Sequence, residues 1–161
     1  MTQTATHTEV TVARAGEGEA RWWWGNLAEI RLGAGHTNGG LSVIEVTLPP
    51  GRVTPPHVHH REEETFLVTK GHLTFQIGEE TVEAEPGDLV VGPRDVPHRF
   101  RAGADGATVL FLLTRGGLEG LVREQSAPAT RREPPASGDV EAPDLNHMGE
   151  VAVRYGCELL M

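Results

Sequence analysis

A single cysteine, Cys157, stands among 161 residues, so no disulfide can form within the chain and no cysteine-rich metal site can be built. Lysine is equally scarce: Lys70 is the only one, and arginine carries nearly all the positive charge, which we read as a coding bias. Basic residues number 14 against 23 acidic ones, and no basic cluster is present to neutralise phosphates. That balance excludes nucleic acid as a partner and an anionic membrane surface as a support. Long apolar runs are absent too, and nothing approaches the roughly 20 residues of a membrane helix. Residues 1–20 are polar and hold no apolar stretch of signal-peptide length, which predicts a cytoplasmic protein. Strand–helix alternation and internal repeats are also missing, and a Rossmann-type fold goes with them.

What is there fits one globular domain, with 38% hydrophobic and 23% charged residues. Short β-like runs follow one another between turn signals. Leu41–Leu48 ends at Pro49-Pro50-Gly51, Glu64–Thr69 stops at Lys70-Gly71, and His72–Ile77 runs into a hairpin turn before Thr81–Ala84. Leu89–Val91 follows Pro86-Gly87-Asp88, and Thr108–Thr114 is continuously apolar, as a buried strand should be. Such spacing reads as an all-β sandwich or barrel. We expect a loose arm over 1–20 with a short strand at Glu9–Ala13, a barrel over 21–125, an exposed linker over 126–143, and a helix and tail over 144–161 packing on the barrel. Gly117–Gln125 has room for a turn or two of helix. Asp144 is a good N-cap, Leu145, Met148, Ala152 and Tyr155 keep helical spacing, and Gly156 is a natural stop. Trp22, Trp23 and Trp24 cannot all face one side of a strand, so at least one covers the outside of the core, an interface or a pocket.

The chemistry concentrates in two segments. In a strand, residues two apart share a face, so His57 and His59 can present two imidazoles to one point inside a barrel. Glu64 follows a turn and heads the next strand, from which its carboxylate can return to that point. His98 comes directly after a Pro-rich turn and completes a set of three His and one Glu if the two hairpins face each other. Imidazole with carboxylate suits a first-row transition ion and not a Ca or Mg site. Four protein ligands leave an octahedral ion two positions for substrate, water or O₂, which is the arrangement of a catalytic metal.

The first segment matches the cupin pattern G-x5-H-x-H-x3,4-E-x6-G at Gly51, His57, His59, Glu64 and Gly71. The second follows G-x5-P-x-G-x2-H-x3-N at Gly87, Pro93 and His98, with Asp95 in place of Gly and Ala102 in place of Asn. The chain therefore resembles the cupin superfamily, and the short spacer over 72–86 resembles that of bacterial single-domain members. Glu62 and Glu63 are nearby carboxylates, and Glu63 also satisfies the first spacing; the six-residue gap to Gly71 selects Glu64. Wider similarity is to quercetin 2,3-dioxygenase-like cupins. It rests on the tryptophan cluster, Pro49-Pro50-Gly51, the run from Pro55 to His60, Glu64 to Val68, Val96 to Phe100 and Arg154 to Leu160.

That resemblance implies an all-β cupin barrel, a double-stranded β-helix or jelly roll, with a short C-terminal helix. It implies one divalent transition metal (Fe, Mn, Ni, Co or Zn) on His57, His59, Glu64 and His98, with Glu64 also a candidate catalytic base. It further implies a homodimer joined through the N-terminal arm and the tryptophans. Strand alternation places Phe66 and Phe100 on the inner face with the ligands, as candidate walls of a substrate pocket. Phe75 and Phe111 are further candidates on neighbouring strands. His60 points the other way, and His36, His72 and His147 face solvent. The expected activity is a metal-dependent dioxygenase acting on a flavonol-like or other enolisable aromatic small molecule. An O₂-independent cyclase or isomerase of a polyketide-like compound and a non-catalytic small-molecule binder stand as alternatives.

Overall fold

The computed structural model describes residues 6–161. Ten strands form one antiparallel system: β1 Glu19–Trp23, β2 Asn26–Leu32, β3 Leu41–Leu48, β4 His57–His59, β5 Glu63–Ile77, β6 Glu80–Ala84, β7 Leu89–Gly92, β8 His98–Thr114, β9 Ala127–Pro128 and β10 Cys157–Leu159. The main path runs β10-β4-β8-β3-β2-β1-β9, while β5 pairs with β6, β7 and β8. Two helices, α1 Leu118–Glu124 and α2 Leu145–Arg154, complete the described chain. Among the described residues no helix is long and apolar enough to cross a membrane.

Alternation drives the packing. In β3, Ser42, Ile44, Val46 and Leu48 are buried and their neighbours are only half covered. In β8 the same rule buries Val109, Phe111 and Leu113. Residues 64–69 and 72–77, expected as two strands, form the single strand β5, and β8 begins ten residues earlier than the apolar run at Thr108 suggests. Gly71 explains the first difference. It adopts φ 72°, and a Cβ there would sit 2.1 Å from the carbonyl oxygen of Gly106. The glycine therefore bends β5 against β8 instead of ending it, with irregular register on either side of the bend. One pair of long strands thus links the ligand-bearing segments to the core.

One expectation needs correction. Glu9–Ala13 forms no strand; Val10 and Val12 are largely exposed. An apolar-polar alternation of five residues has nothing to pair with there, and residues 1–5 of the arm lie outside the described residues. The segment over 126–143 is largely exposed, and it is also tied to the barrel at several points. Ala127 and Pro128 pair with β1, Trp22 Nε1 donates to Glu133 O at 2.9 Å, and the Arg131 guanidinium lies 5.1 Å above the Trp22 ring. Arg131 also pairs with Asp139, and Arg132 with Glu29.

The C-terminal helix forms as the capping signal predicts. Asp144 accepts hydrogen bonds from the amides of Asn146 and His147, and Met148, Val151 and Ala152 are its buried face. Gly156, at φ 71°, ends it. The chain then returns as β10 and pairs antiparallel with β4, Cys157 opposite His59 and Leu159 opposite His57.

Candidate metal centre

Each member of the cluster lies in or at the start of a strand. Pro55 and Pro56 hold the backbone extended into β4, so His57 and His59 share a face across the buried Val58. Glu64 is the second residue of β5 and His98 the first of β8. His57 stands opposite His98 in the β4–β8 register, and Glu64 stands opposite Gly92. Gly92 packs against the His98 ring: a Cβ there would lie 3.2 Å from its Cε1.

The result is compact. One potential ligand atom from each of His57, His59, Glu64 and His98 lies within 4.8 Å of all the others. Glu64 Oε2 is 3.0 Å from His98 Nε2, 3.1 Å from His59 Nε2 and 4.0 Å from His57 Nε2. His57 Nδ1 donates to Pro55 O at 2.8 Å and His98 Nδ1 to Val96 O at 3.1 Å. A carbonyl can only accept, so these bonds keep the proton on Nδ1 and leave the Nε2 lone pairs facing the cluster.

His59 differs from the other two. Its Nδ1 faces the carboxylate of Glu62, 3.6 Å from Oε2, and both atoms are buried with no hydrogen-bond partner. That distance is too long for a hydrogen bond, but the pair is poised for one, and Cys157 lies against the same ring. Glu62, weighed above only as a substitute for Glu64, therefore stands behind the His59 ring. Its signal in the sequence was the acidic run 62–64, which spacing cannot resolve into roles. Glu63 is exposed.

Electrostatics show what the cluster lacks. Burial alone would raise Glu64, yet the charge of His59 and the three imidazoles gathered around its carboxylate hold it well below the usual carboxylate range. Burial pushes His57 down, more than the neighbouring Glu64 carboxylate pulls it up. Burial would also lower His59, but Glu64, Cys157 and Glu62 together raise it to about 12. A buried anion surrounded by imidazoles takes up a positive charge, and a divalent ion supplies it through the same four atoms. The donor set therefore fits the metal that the sequence implies.

Around the cluster lies a cavity of about 1290 Å³. His57, His59 and Glu64 are on its wall, with Trp23, Trp24, Pro55 and Phe100 among the neighbouring surfaces. Phe100 therefore stands where the inner-face argument places it. Phe66 does not. It is completely buried, with the rings of Phe75, Phe100 and Phe111 within 5.5 Å of its own, and it is absent from the cavity wall. Alternation correctly turned it inward, but depth along the barrel decides between wall and plug. All three tryptophans border the cavity: Trp23 and Trp24 donate to Gln125 Oε1, and Trp22 is buried beneath the 126–143 segment.

The remaining histidines behave as expected or better. His60 points away from the cluster, its Nδ1 2.6 Å from Asp95 Oδ1 and its Nε2 3.3 Å from Glu158 Oε2. The Asp95 bond, then Glu158, raises it above the ordinary imidazole value. Asp95 itself adopts φ 65°, the left-handed conformation for which the cupin pattern has glycine and which aspartate tolerates. His72 pairs with Glu83 at the surface.

Residues 44–114 match the family model described as the cupin domain. That segment is similar to a cupin domain. Its sequence is 25% identical over 117 residues to quercetin 2,3-dioxygenase of Bacillus subtilis (strain 168), an alignment covering 73% of this chain and 35% of that protein. The chain thus spans about a third of that relative's length. Solved structures with the same fold include a predicted oxalate decarboxylase from Thermotoga maritima, at a TM-score of 0.59 and 18% identity, covering 65% of this chain and 99% of that one. KdgF from Halomonas sp. follows at a TM-score of 0.54 and 23% identity, covering 60% of this chain and 84% of that one. At those identities the likeness is one of fold. It establishes the all-β cupin architecture and leaves chemistry to the site.

Proposed function

We propose that this protein binds one divalent transition metal (Fe, Mn, Ni, Co or Zn) through His57, His59, Glu64 and His98 and acts as a metal-dependent dioxygenase on a flavonol-like or other enolisable aromatic molecule. The observation that carries the proposal is the juxtaposition of a three-imidazole, one-carboxylate cluster with an aromatic-walled cavity large enough for such a ligand. The similarity to a protein named quercetin 2,3-dioxygenase supports the same substrate class. When bound, the metal supplies Lewis acidity toward substrate oxygen and, if redox-active, a path to O₂.

The protein's own residues do the rest. Trp23, Trp24 and Phe100 cover the flat faces of the ligand and exclude water. His57 and His98 are held by backbone carbonyls in the tautomer that presents Nε2, so little reorganisation accompanies binding. Glu64 is the candidate base for the proton of an enolic substrate hydroxyl, since its carboxylate lies within the cluster.

An oxygen electrode decides the matter. Protein reconstituted separately with Fe, Mn, Co, Ni or Zn is mixed with a flavonol panel, and uptake of O₂ with ring cleavage that stops on chelation is the expected result. Turnover of an enolisable substrate that continues without O₂ and with zinc would replace the dioxygenase by a Lewis-acid cyclase or isomerase. Tight binding of every flavonol without conversion under any metal would leave a binding module.

A further inference from the structure

The cavity wall carries two guanidiniums that the cluster does not use, Arg52 and Arg99, and of these Arg52 is half buried. Arg52 sits in the turn after β3, half buried, with its backbone pinned: its N donates to Pro49 O at 3.2 Å and its O accepts from Ala102 N at 2.8 Å. The guanidinium reaches across to the β1–β2 hairpin, where Nη2 donates to the carbonyl of Trp24. The hairpin is shaped for it. Trp24 and Gly25 both have positive φ, 54° and 73°, and a Cβ on Gly25 would fall 1.5 Å from Nη2. Glycine also takes the positive φ there without steric cost.

No carboxylate pairs with Arg52 among the described residues, although several border the same cavity. Glu64 belongs to the ligand cluster, Glu124 pairs with Arg154 and Tyr155, Asp139 with Arg131, and Asp144 caps α2. Glu141 is exposed. The other guanidinium on the wall, Arg99, is exposed and donates to Gln76 Oε1 at 2.9 Å. A half-buried guanidinium aimed into an aromatic cavity, with most of its fork unused, is a receptor for a planar anion.

We propose that the substrate is an acid, and that Arg52 binds its carboxylate at a point of the cavity separate from the oxygen that reaches the metal cluster. Resting on the reading of this cavity as a substrate site, the proposal narrows the ligand to an aromatic or similarly flat molecule bearing an ionised carboxylate. Arg52 is then a specificity determinant. Trp24 O and the space left by Gly25 fix the angle of its fork.

Calorimetric binding of trans-cinnamate and of its uncharged amide to the zinc-loaded protein tests this without O₂ or turnover. The acid should bind at least about tenfold more tightly than the amide. Arg52→Gln should abolish that preference, and Arg99→Gln should leave it intact. Arg52→Lys, which keeps the charge and a donor for Trp24, should retain part of it; this variant serves if the glutamine variant fails to fold. Equal affinities, absence of binding by either probe, or a preference that survives loss of Arg52 would overturn the proposal, the last by assigning the anion to the metal cluster. Because neither probe is a dioxygenase substrate, the carboxylate preference can fail while O₂ uptake on flavonols persists, and the reverse.

Discussion

Two neighbouring layers inside the barrel sit on the same strands and are built on opposite principles. Along β5 the inward residues run Glu64, Phe66, Val68; along β8 they run His98, Phe100, Ala102. One step of two residues changes a cluster of ionisable groups into a plug of rings, with Phe66 within 5.5 Å of Phe75, Phe100 and Phe111. The plug gains from burial. The cluster does not, because a carboxylate and three imidazoles taken out of water are costly unless something charged joins them. The contrast teaches that the plug maintains the fold and that the cluster is held in place by it, so the two respond to different perturbations.

Breaking the plug should have the largest effect. Phe66→Ala should lower stability by about 3–5 kcal/mol in denaturant melts, with or without metal, since it empties a fully enclosed site. The cluster should behave in the opposite way. A fitting divalent ion at a hundred times its dissociation constant should raise stability by about 2.7 kcal/mol, and a chelator should remove the gain. His98→Ala should abolish that response altogether. A plug variant that still responds to metal, beside a ligand variant that does not, would sharpen the comparison; equal loss of both properties in both variants would break it.

A smaller effect separates orientation from ligation. Glu62→Gln should weaken metal binding about 10- to 100-fold by competition with a chelating dye, and change stability in the absence of metal much less. No change in affinity would remove Glu62 from the site. The smallest effect is remote from both layers. Burial would raise Glu119, but the Ser42 hydroxyl and the amides of Ala34 and Gly117 lower its pKa below the usual 4.5. Its stabilising contribution is therefore complete above pH 4.5 and is lost as the pH falls through the lower folded value. Glu119→Gln should flatten the acid limb of the stability–pH curve and leave metal binding unaltered.

The ligand set was legible because it is local. Spacing of two in β4, a turn to Glu64 and a proline-bounded His98 each follow from strand periodicity and turn chemistry, and the four atoms do converge. The C-terminal helix was legible for the same reason, since its cap and its stop lie within the segment. The bend at Gly71 was misread as a strand end, because glycine marks both a turn and a close approach of backbones. Only the carbonyl of Gly106 across the gap distinguishes them. Phe66 and Phe100 carry the same periodic signal, yet one is plug and the other wall.

By itself, then, the sequence determined which residues point inward and which of them bring imidazole and carboxylate groups toward one point. Those properties depend on neighbours within a few positions. The tertiary structure alone decided that Glu62 faces His59, that residues 126–143 are tied over Trp22, and that Arg52 reaches the Trp24 carbonyl. Each joins groups across a hairpin, a strand pair or a long connection. Depth in a barrel and contacts between distant segments have no periodic trace, because they arise only when the sheet closes.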